Sequence, residues 1–396
     1  MRWLRWTILL VLCVGVAVGV AWVSSSGAVR QWRLRRMTLA QLEKLWAEQQ
    51  REDPLLYTEL GKRLNRAKRY GDAAAVLRTA VLLEEDSAEV YAELGLALSR
   101  SGYPVEAEVM SRRALEINKD QPLAHYVLGN LYGKARLWEH AIREFETTVR
   151  LEPKNHEAWY WLAQCYGVSY QQDKKFAIMQ KLVKEHPQVA KYHQSLGASY
   201  LYYGRLEEAE RHLRRALELD PQDVDTRLFY GRALAEKADA PQRFSQAERE
   251  LKAVLKAMPQ SVDAHVAMGI LHFRRGEYAR AIRMLERAMQ LGNYEEKTLF
   301  FLGQSYLRLG RLQDGKRTIE RYQQISDQSR TLQHLENRIL NAPDDLDARL
   351  RLAELYHKTG QFQRALFQLR EILQRQPRHK EAQQKLMEWE KSSVPQ

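Results

Sequence analysis

The chain has 396 residues, 45% of them apolar and 28% charged, with only 11 prolines and 20 glycines, a composition that excludes a disordered or low-complexity chain. Its formal charge of +12 is basic but dilute, and no run of five or six like charges concentrates it, so a nucleic-acid groove is not indicated. Two cysteines, Cys13 in an apolar run and Cys165 far from it, do not make a disulfide framework.

The first element is "WTILLVLCVGVAVGVAWV", residues 6–23, which carries no charge. As a helix it spans roughly 27 Å, close to the thickness of a bilayer core. Trp3, Trp6 and Trp22 sit at its two ends, and Arg2 and Arg5 precede it. The segment reads as a single-pass anchor; the alternative is a cleaved signal peptide, with Gly19-Val20-Ala21 or Ser26-Gly27-Ala28 as its site. Arg2 and Arg5 compete with Arg30, Arg33, Arg35 and Arg36 to set the orientation, and the two sides balance. Gly15 and Gly19 form a G-x-x-x-G face on which two such helices could dimerise. Thr38 and Gln41 then make a capping box that opens a connecting helix.

From residue 54 onward a small residue recurs at Gly61, Gly95, Gly129, Ala163, Gly197 and Gly231, each 34 residues after the last, and resumes at Gly269 and Gly303. Three residues beyond stands a bulky one (Leu64, Leu98, Tyr132, Tyr166, Tyr200, Leu234, His272, Tyr306), which marks one helix face. Twelve residues beyond stands a second small one: Ala73, Ala107, Ala141, Ala209, Ala281 and Gly315. Glycines such as Gly102, Gly204, Gly276 and Gly310 mark the turn between, and Pro153, Pro187, Pro221 and Pro259 follow the second helix. Each unit is a helix, a turn and a helix, which can bury its apolar face only by stacking on the next.

These positions resemble the tetratricopeptide repeat, whose pattern runs W-x-x-L-G-x-x-Y, then A, F, A and P, with a period of about 34. Repeat five carries it in His193, Leu196, Gly197, Tyr200, Gly204, Ala209, Leu213, Ala216 and Pro221; repeat three in Leu128, Gly129, Tyr132, Trp138, Ala141, Phe145 and Pro153. The resemblance implies an all-α, right-handed α-solenoid of about nine repeats, starting near 54, 88, 122, 156, 190, 224, 262, 296 and 346, behind one transmembrane helix. The organisation expected is an anchor with basic flanks at 1–37, a connecting helix at 38–53, repeats one to eight at 54–325, an inserted helix at 326–345, repeat nine at 346–377, and a capping helix and tail at 378–396. Repeat six carries four extra residues around 238–244, and the insertion before repeat nine lengthens or adds a helix through Leu332, Leu335, Ile339 and Leu340. In repeat four, Tyr170, Gln172 and Lys175 stand where the pattern has Gly, an aromatic and Ala, so that helix pair must pack differently.

Chemistry is sparse. His265 and His272 share a helix face at a spacing that could suit a metal, but they fill core positions and no third ligand accompanies them. Cys165 stands at an alanine position and reads as buried and inert. No nucleotide-binding, hydrolase, zinc-protease or C-x-x-C motif occurs, so the expectation is a protein without enzymatic activity or cofactor.

The resemblance implies an inner groove lined by first-helix positions, here Lys62, Arg66, Tyr126, Asn130, Tyr160, Gln164, Lys191, Gln194 and Arg232. Neither the carboxylate clamp nor the asparagine ladder of some family members is reproduced. The reading is a membrane-anchored scaffold of a bacterial inner membrane that docks protein or peptide partners, with the repeats on the cytoplasmic or the periplasmic side and a homodimer as an option. The alternative is an envelope protein that binds an anionic polysaccharide or lipid through its basic surface.

Overall fold

The structure, a computed structural model, describes residues 27–48, 53–83, 87–169, 171–237 and 241–392. The anchor at 6–23 with Gly15 and Gly19, Tyr170 and the tail at 393–396 lie outside the described residues. Among the described residues there are 21 helices and no strand, and no helix is long and apolar enough to cross a membrane. The chain divides into two compact units, Met1–Ser199 and Tyr200–Gln396.

The first unit opens with α1 (Gly27–Arg36) and α2 (Leu39–Glu48). The capping box closes at the start of α2: Thr38 N donates to Gln41 Oε1 at 2.8 Å, and Gln41 N to Thr38 Oγ1 at 3.3 Å. Helix pairs follow, α3 (Pro54–Arg66) with α4 (Tyr70–Leu83), α5 (Ala88–Arg100) with α6 (Pro104–Ile117), α7 (Pro122–Lys134) with α8 (Trp138–Leu151), and α9 (His156–Val168) with α10 (Gln172–Glu185). Helix α11 (Ala190–Tyr202) begins repeat five and crosses into the second unit.

The second unit contains α12 (Leu206–Leu219), α13 (Val224–Lys237), α14 (Pro241–Ala257), α15 (Val262–Arg274), α16 (Tyr278–Gln290), α17 (Glu296–Arg308), α18 (Leu312–Asn341), α19 (Leu346–Lys358), α20 (Phe362–Arg375) and α21 (Lys380–Ser392). Among the described residues each unit is thus an all-helical stack of helix hairpins.

Local chemistry starts and ends these helices. Asn155, Ser261 and Asp345 cap first helices by accepting from the backbone N–H three residues on, at 3.0, 3.3 and 2.9 Å. The turn between the helices needs one left-handed residue, supplied by glycine at Gly102, Gly276, Gly310 and Gly360. In repeats one and three, Lys68 (φ 61°) and Arg136 (φ 59°) adopt the same conformation at the same register position.

What meets the recurring glycine is not the alanine twelve residues on but the side chain sixteen on. A Cβ at Gly61 would lie 2.4 Å from Leu77, at Gly129 2.9 Å from Phe145, and at Gly269 2.5 Å from Leu285. Those three side chains are buried, and so are Ala73, Ala141 and Ala281 beside them. The tyrosine three residues after the small one reaches back exactly one helix, to a residue twenty earlier on the preceding repeat. Tyr166 Oη donates to Glu146 at 2.5 Å and Tyr306 Oη to Glu286 at 2.6 Å; Tyr356 bonds Glu336 in the same way, and Tyr132 Oη accepts from Arg112 at 2.9 Å.

The departures from the period are absorbed in second helices. Helix α14 has 17 residues where others have 13 or 14, and α18 runs unbroken for 30. The insertion therefore lengthens a helix and does not add one. The first part of α18 covers Gly303 with Ile319; its last part supplies Leu335 to the apolar cluster of α19 to α21 and Glu336 to Tyr356. In repeat four, Lys175 takes the alanine place and its Cδ lies 2.8 Å from where a Cβ on Gly167 would be. Burial holds the Lys175 ammonium below the usual lysine range.

His265 and His272 are both buried on α15. His272 Nδ1 lies 2.7 Å from Glu277 Oε2, and His265 Nδ1 has no partner. Among the described residues no group of three or more His, Cys, Asp or Glu could hold a metal ion.

Two predictions follow from this packing. Gly269→Ala pushes into Leu285 and should cost about 1–3 kcal/mol, whereas a Cβ on Gly133, in α7, meets nothing within 4 Å and Gly133→Ala should gain up to ~1 kcal/mol. Thermal melts of the two variants should move in opposite directions; a shared direction contradicts the crossing constraint. Burial also holds His265 and His272 below the ordinary imidazole value, with Arg287 adding to this at His265 and Glu277 opposing it at His272. Buried neutral imidazoles contribute stability that is complete above the unfolded value of about 6.5 and is lost as pH falls below it. The urea midpoint should drop on acidification through this window, and less steeply in His265→Leu/His272→Gln; equal slopes would exclude these two groups as the cause.

Candidate functional site

In the first unit, polar side chains link the first helices of successive repeats along one face. Arg100 Nη2 at the end of α5 donates to Tyr126 Oη on α7 at 3.3 Å, and Tyr126 Oη donates to Glu157 Oε2 on α9 at 3.3 Å. Glu157 Oε1 in turn pairs with Lys191 Nζ on α11 at 3.5 Å. Four repeats are thereby joined by one line of contacts, and Gln164 Nε2 adds a parallel link to Ser195 Oγ at 3.0 Å.

The aromatic part of the face surrounds Lys191, whose ammonium lies 4.7 Å from the Tyr160 ring centroid and 5.6 Å from that of Tyr192. Tyr160 packs edge-on to Trp161 at 5.2 Å and beside Tyr192 at 5.5 Å. His156 Nδ1 lies 2.6 Å from Tyr192 Oη, and its ring lies 4.4 Å from that of His186. Burial pushes the Tyr192 phenol up to about 12, and burial together with His186 holds the His156 imidazole below its usual value. Tyr192 is itself fully buried and supports the rings above it, so the side chains presented are Tyr160, His156, Gln164, Glu157 and Lys191, a set suited to hydrogen bonding and ring stacking.

Of the expected groove residues, Tyr126, Tyr160, Gln164 and Lys191 take part in these contacts, while Asn130 and Gln194 lie on α7 and α11. Tyr126 is buried, with its ring edge-on to Phe145, and Asn130 Nδ2 donates to the Tyr126 carbonyl at 2.8 Å. Lys62 departs from the expectation. Its side chain is 8% exposed, and its ammonium lies 3.1 Å from Glu59 and 2.6 Å from Glu89, so it joins α3 to α5 and is not presented to a ligand. Beside it Asn65 Nδ2 donates to Glu93 at 2.8 Å, and burial raises the Glu93 carboxyl above its usual range. Arg66 is exposed at the end of α3.

Arg232 is half-buried on α13, in the other unit. There Lys297 on α17 pairs with Glu236 on α13 at 2.7 Å, linking first helices two repeats apart, and α15 between them is buried over all of 264–272. Arg100, Glu157, Tyr192 and Ser195 join this network without having stood out in the sequence. Glu157 could have been found, because it occupies the same first-helix position as Lys191. Cys165 is buried on α9, and burial pushes its thiol up to about 11.

Comparison with known proteins gives three family matches: the cytochrome c-type biogenesis protein H TPR domain over residues 171–298, and tetratricopeptide repeat families over 126–166 and 326–389. Tetratricopeptide repeat protein 37 of Xenopus laevis is 29% identical over 115 residues, which is 28% of this chain and 7% of that protein's length. Among solved structures, YrrB, described as a TPR protein with an unusual peptide-binding site, is 20% identical with a TM-score of 0.40, covering 48% of this chain and 96% of its own. Pseudomonas aeruginosa pilF is 14% identical with a TM-score of 0.48, covering 53% of this chain and 94% of its own. The three matches, each to a tetratricopeptide repeat model and each over less than half of the chain, support tetratricopeptide repeats along those stretches of helix hairpins.

Proposed function

We propose that the chain is a non-enzymatic scaffold that docks an extended peptide segment of a partner protein on the inner face of repeats two to five. The observation that carries this reading is the line Arg100, Tyr126, Glu157 and Lys191, which holds four first helices in register and leaves Tyr160 and Gln164 beside it. A groove prepared in this way loses little side-chain entropy on binding, and several small contacts add along a peptide. Residues 6–23 would hold the scaffold at a bacterial inner membrane, where the Gly15 and Gly19 face could bring two copies together. The match over 171–298 to a domain named for cytochrome c-type biogenesis supports envelope protein biogenesis as its setting.

Tyr160→Ala with Gln164→Ala and Lys191→Ala tests the groove with less risk to the fold than Tyr126, which is buried. The triple variant should retain its thermal melt and recover bound partner at least about tenfold less than the wild type on affinity purification. Partner recovery equal to wild type sinks the groove assignment. Loss of recovery in high salt for wild type and variant alike would favour an anionic glycan or lipid on the basic surface instead.

A further inference from the structure

Repeat four also has a cavity on its other side. A space of about 540 Å³ opens between α8, α9 and α10, lined by Val149, Trp159, Leu162, Tyr166, Ala177 and Ile178. A second, of about 290 Å³, opens in repeat one against Tyr57, Leu60, Leu64, Ala75 and Val76. Tyr57 and Trp159, Leu60 and Leu162, Leu64 and Tyr166, Ala75 and Ala177, and Val76 and Ile178 each differ by three periods of the repeat. The two cavities are the same place in two repeats.

One register position accompanies both. Two residues after the buried small residue of the second helix, repeats three and five to eight carry exposed arginines, Arg143, Arg211, Arg249, Arg283 and Arg317. Repeats one and four carry Ala75 and Ala177. In repeat four Lys175 additionally occupies the alanine place, and its Cδ lies 2.8 Å from where a Cβ on Gly167 would stand.

The rims differ in charge. In repeat one, Arg69 pairs with Glu43 at 2.6 Å and with Asp72 at 2.7 Å, so charge is balanced within the chain. In repeat four the places of Asp72 and Thr79 are taken by Lys174 and Lys181, whose ammonium groups lie 4.9 Å and 5.1 Å from the centroids of Tyr166 and Trp159. Arg150 adds a third exposed cation, while Glu146 accepts from the Tyr166 hydroxyl at 2.5 Å.

We propose that this outer cavity of repeat four is a second docking site, which takes a bulky apolar side chain presented by an acidic segment of a partner protein. The apolar walls supply the anchor site, and Lys174, Lys181 and Arg150 supply the complement to flanking carboxylates.

The probes are short fluorescein-labelled peptides of Glu, Asp and Ala with a single central Trp, or with Ala in its place, titrated by anisotropy into the full chain in detergent. The Trp peptide should bind, the Ala peptide at least about tenfold more weakly, and high salt should weaken both. Ala177→Arg installs the residue of the sister repeats and should weaken the Trp peptide by at least about tenfold, with Ala75→Arg as the matched control that leaves binding intact. Lys174→Glu with Lys181→Glu, at exposed positions on the rim, should do the same while leaving the apolar side chains of the cavity in place. Equal binding of the two peptides, undiminished binding by both repeat-four variants, or loss only in Tyr160→Ala/Gln164→Ala would each overturn the assignment.

Discussion

The close crossing within each hairpin is the constraint on which the rest depends. A residue with no side chain, or only a methyl, lets a buried side chain sixteen positions later lie directly over the first helix, as Leu77 does over Gly61 and Leu285 over Gly269. The core is then filled by apposition at native density, and the turn between the helices is held to one geometry. That geometry is strict enough to keep Lys68 and Arg136 in a left-handed conformation where other repeats use glycine. Fixing the hairpin also fixes where the next one can dock, because the tyrosine one turn on then points at the second helix of the preceding repeat.

This explains why the architecture was legible in the sequence. The crossing recurs every 34 residues and each occurrence demands a small residue, so the steric requirement is written directly as a period. The tie from Tyr166 to Glu146 recurs at Tyr132, Tyr306 and Tyr356 with the same offset, yet it joins different repeats, and an offset of minus twenty has no meaning until the second helix is placed. The insertion before repeat nine was legible as helical from Leu332, Leu335 and Ile339, but whether it continued the preceding helix depended on the whole of 312–341. That stretch lacks proline, and its one glycine stands at the start, so nothing interrupts α18.

The groove was less legible, for a reason that Lys62 makes clear. A lysine at an inner first-helix position reads as a ligand contact, and its neutralisation by Glu59 and Glu89 involves a residue 27 positions away. Tyr160 and Gln164 were expected on the inner face from the first-helix positions that the repeat resemblance implies, whereas the line through Arg100 and Glu157 needed four repeats stacked in register.

Repeat four shows how one helix can serve two surfaces. On α9, Tyr160 and Gln164 face the inner line while Trp159, Leu162 and Tyr166 face the cavity on the other side. Five other repeats carry an exposed arginine where Ala177 stands, and in repeats three, five, six and seven an alanine stands at the place of Lys175. A half-buried lysine at that place costs desolvation, as the lowered ammonium of Lys175 records, and gives no ion pair in return. On the same helix Lys174 and Lys181, both exposed, lie over the rings of Tyr166 and Trp159, so these cationic side chains of the second helix gather on the side where the cavity opens.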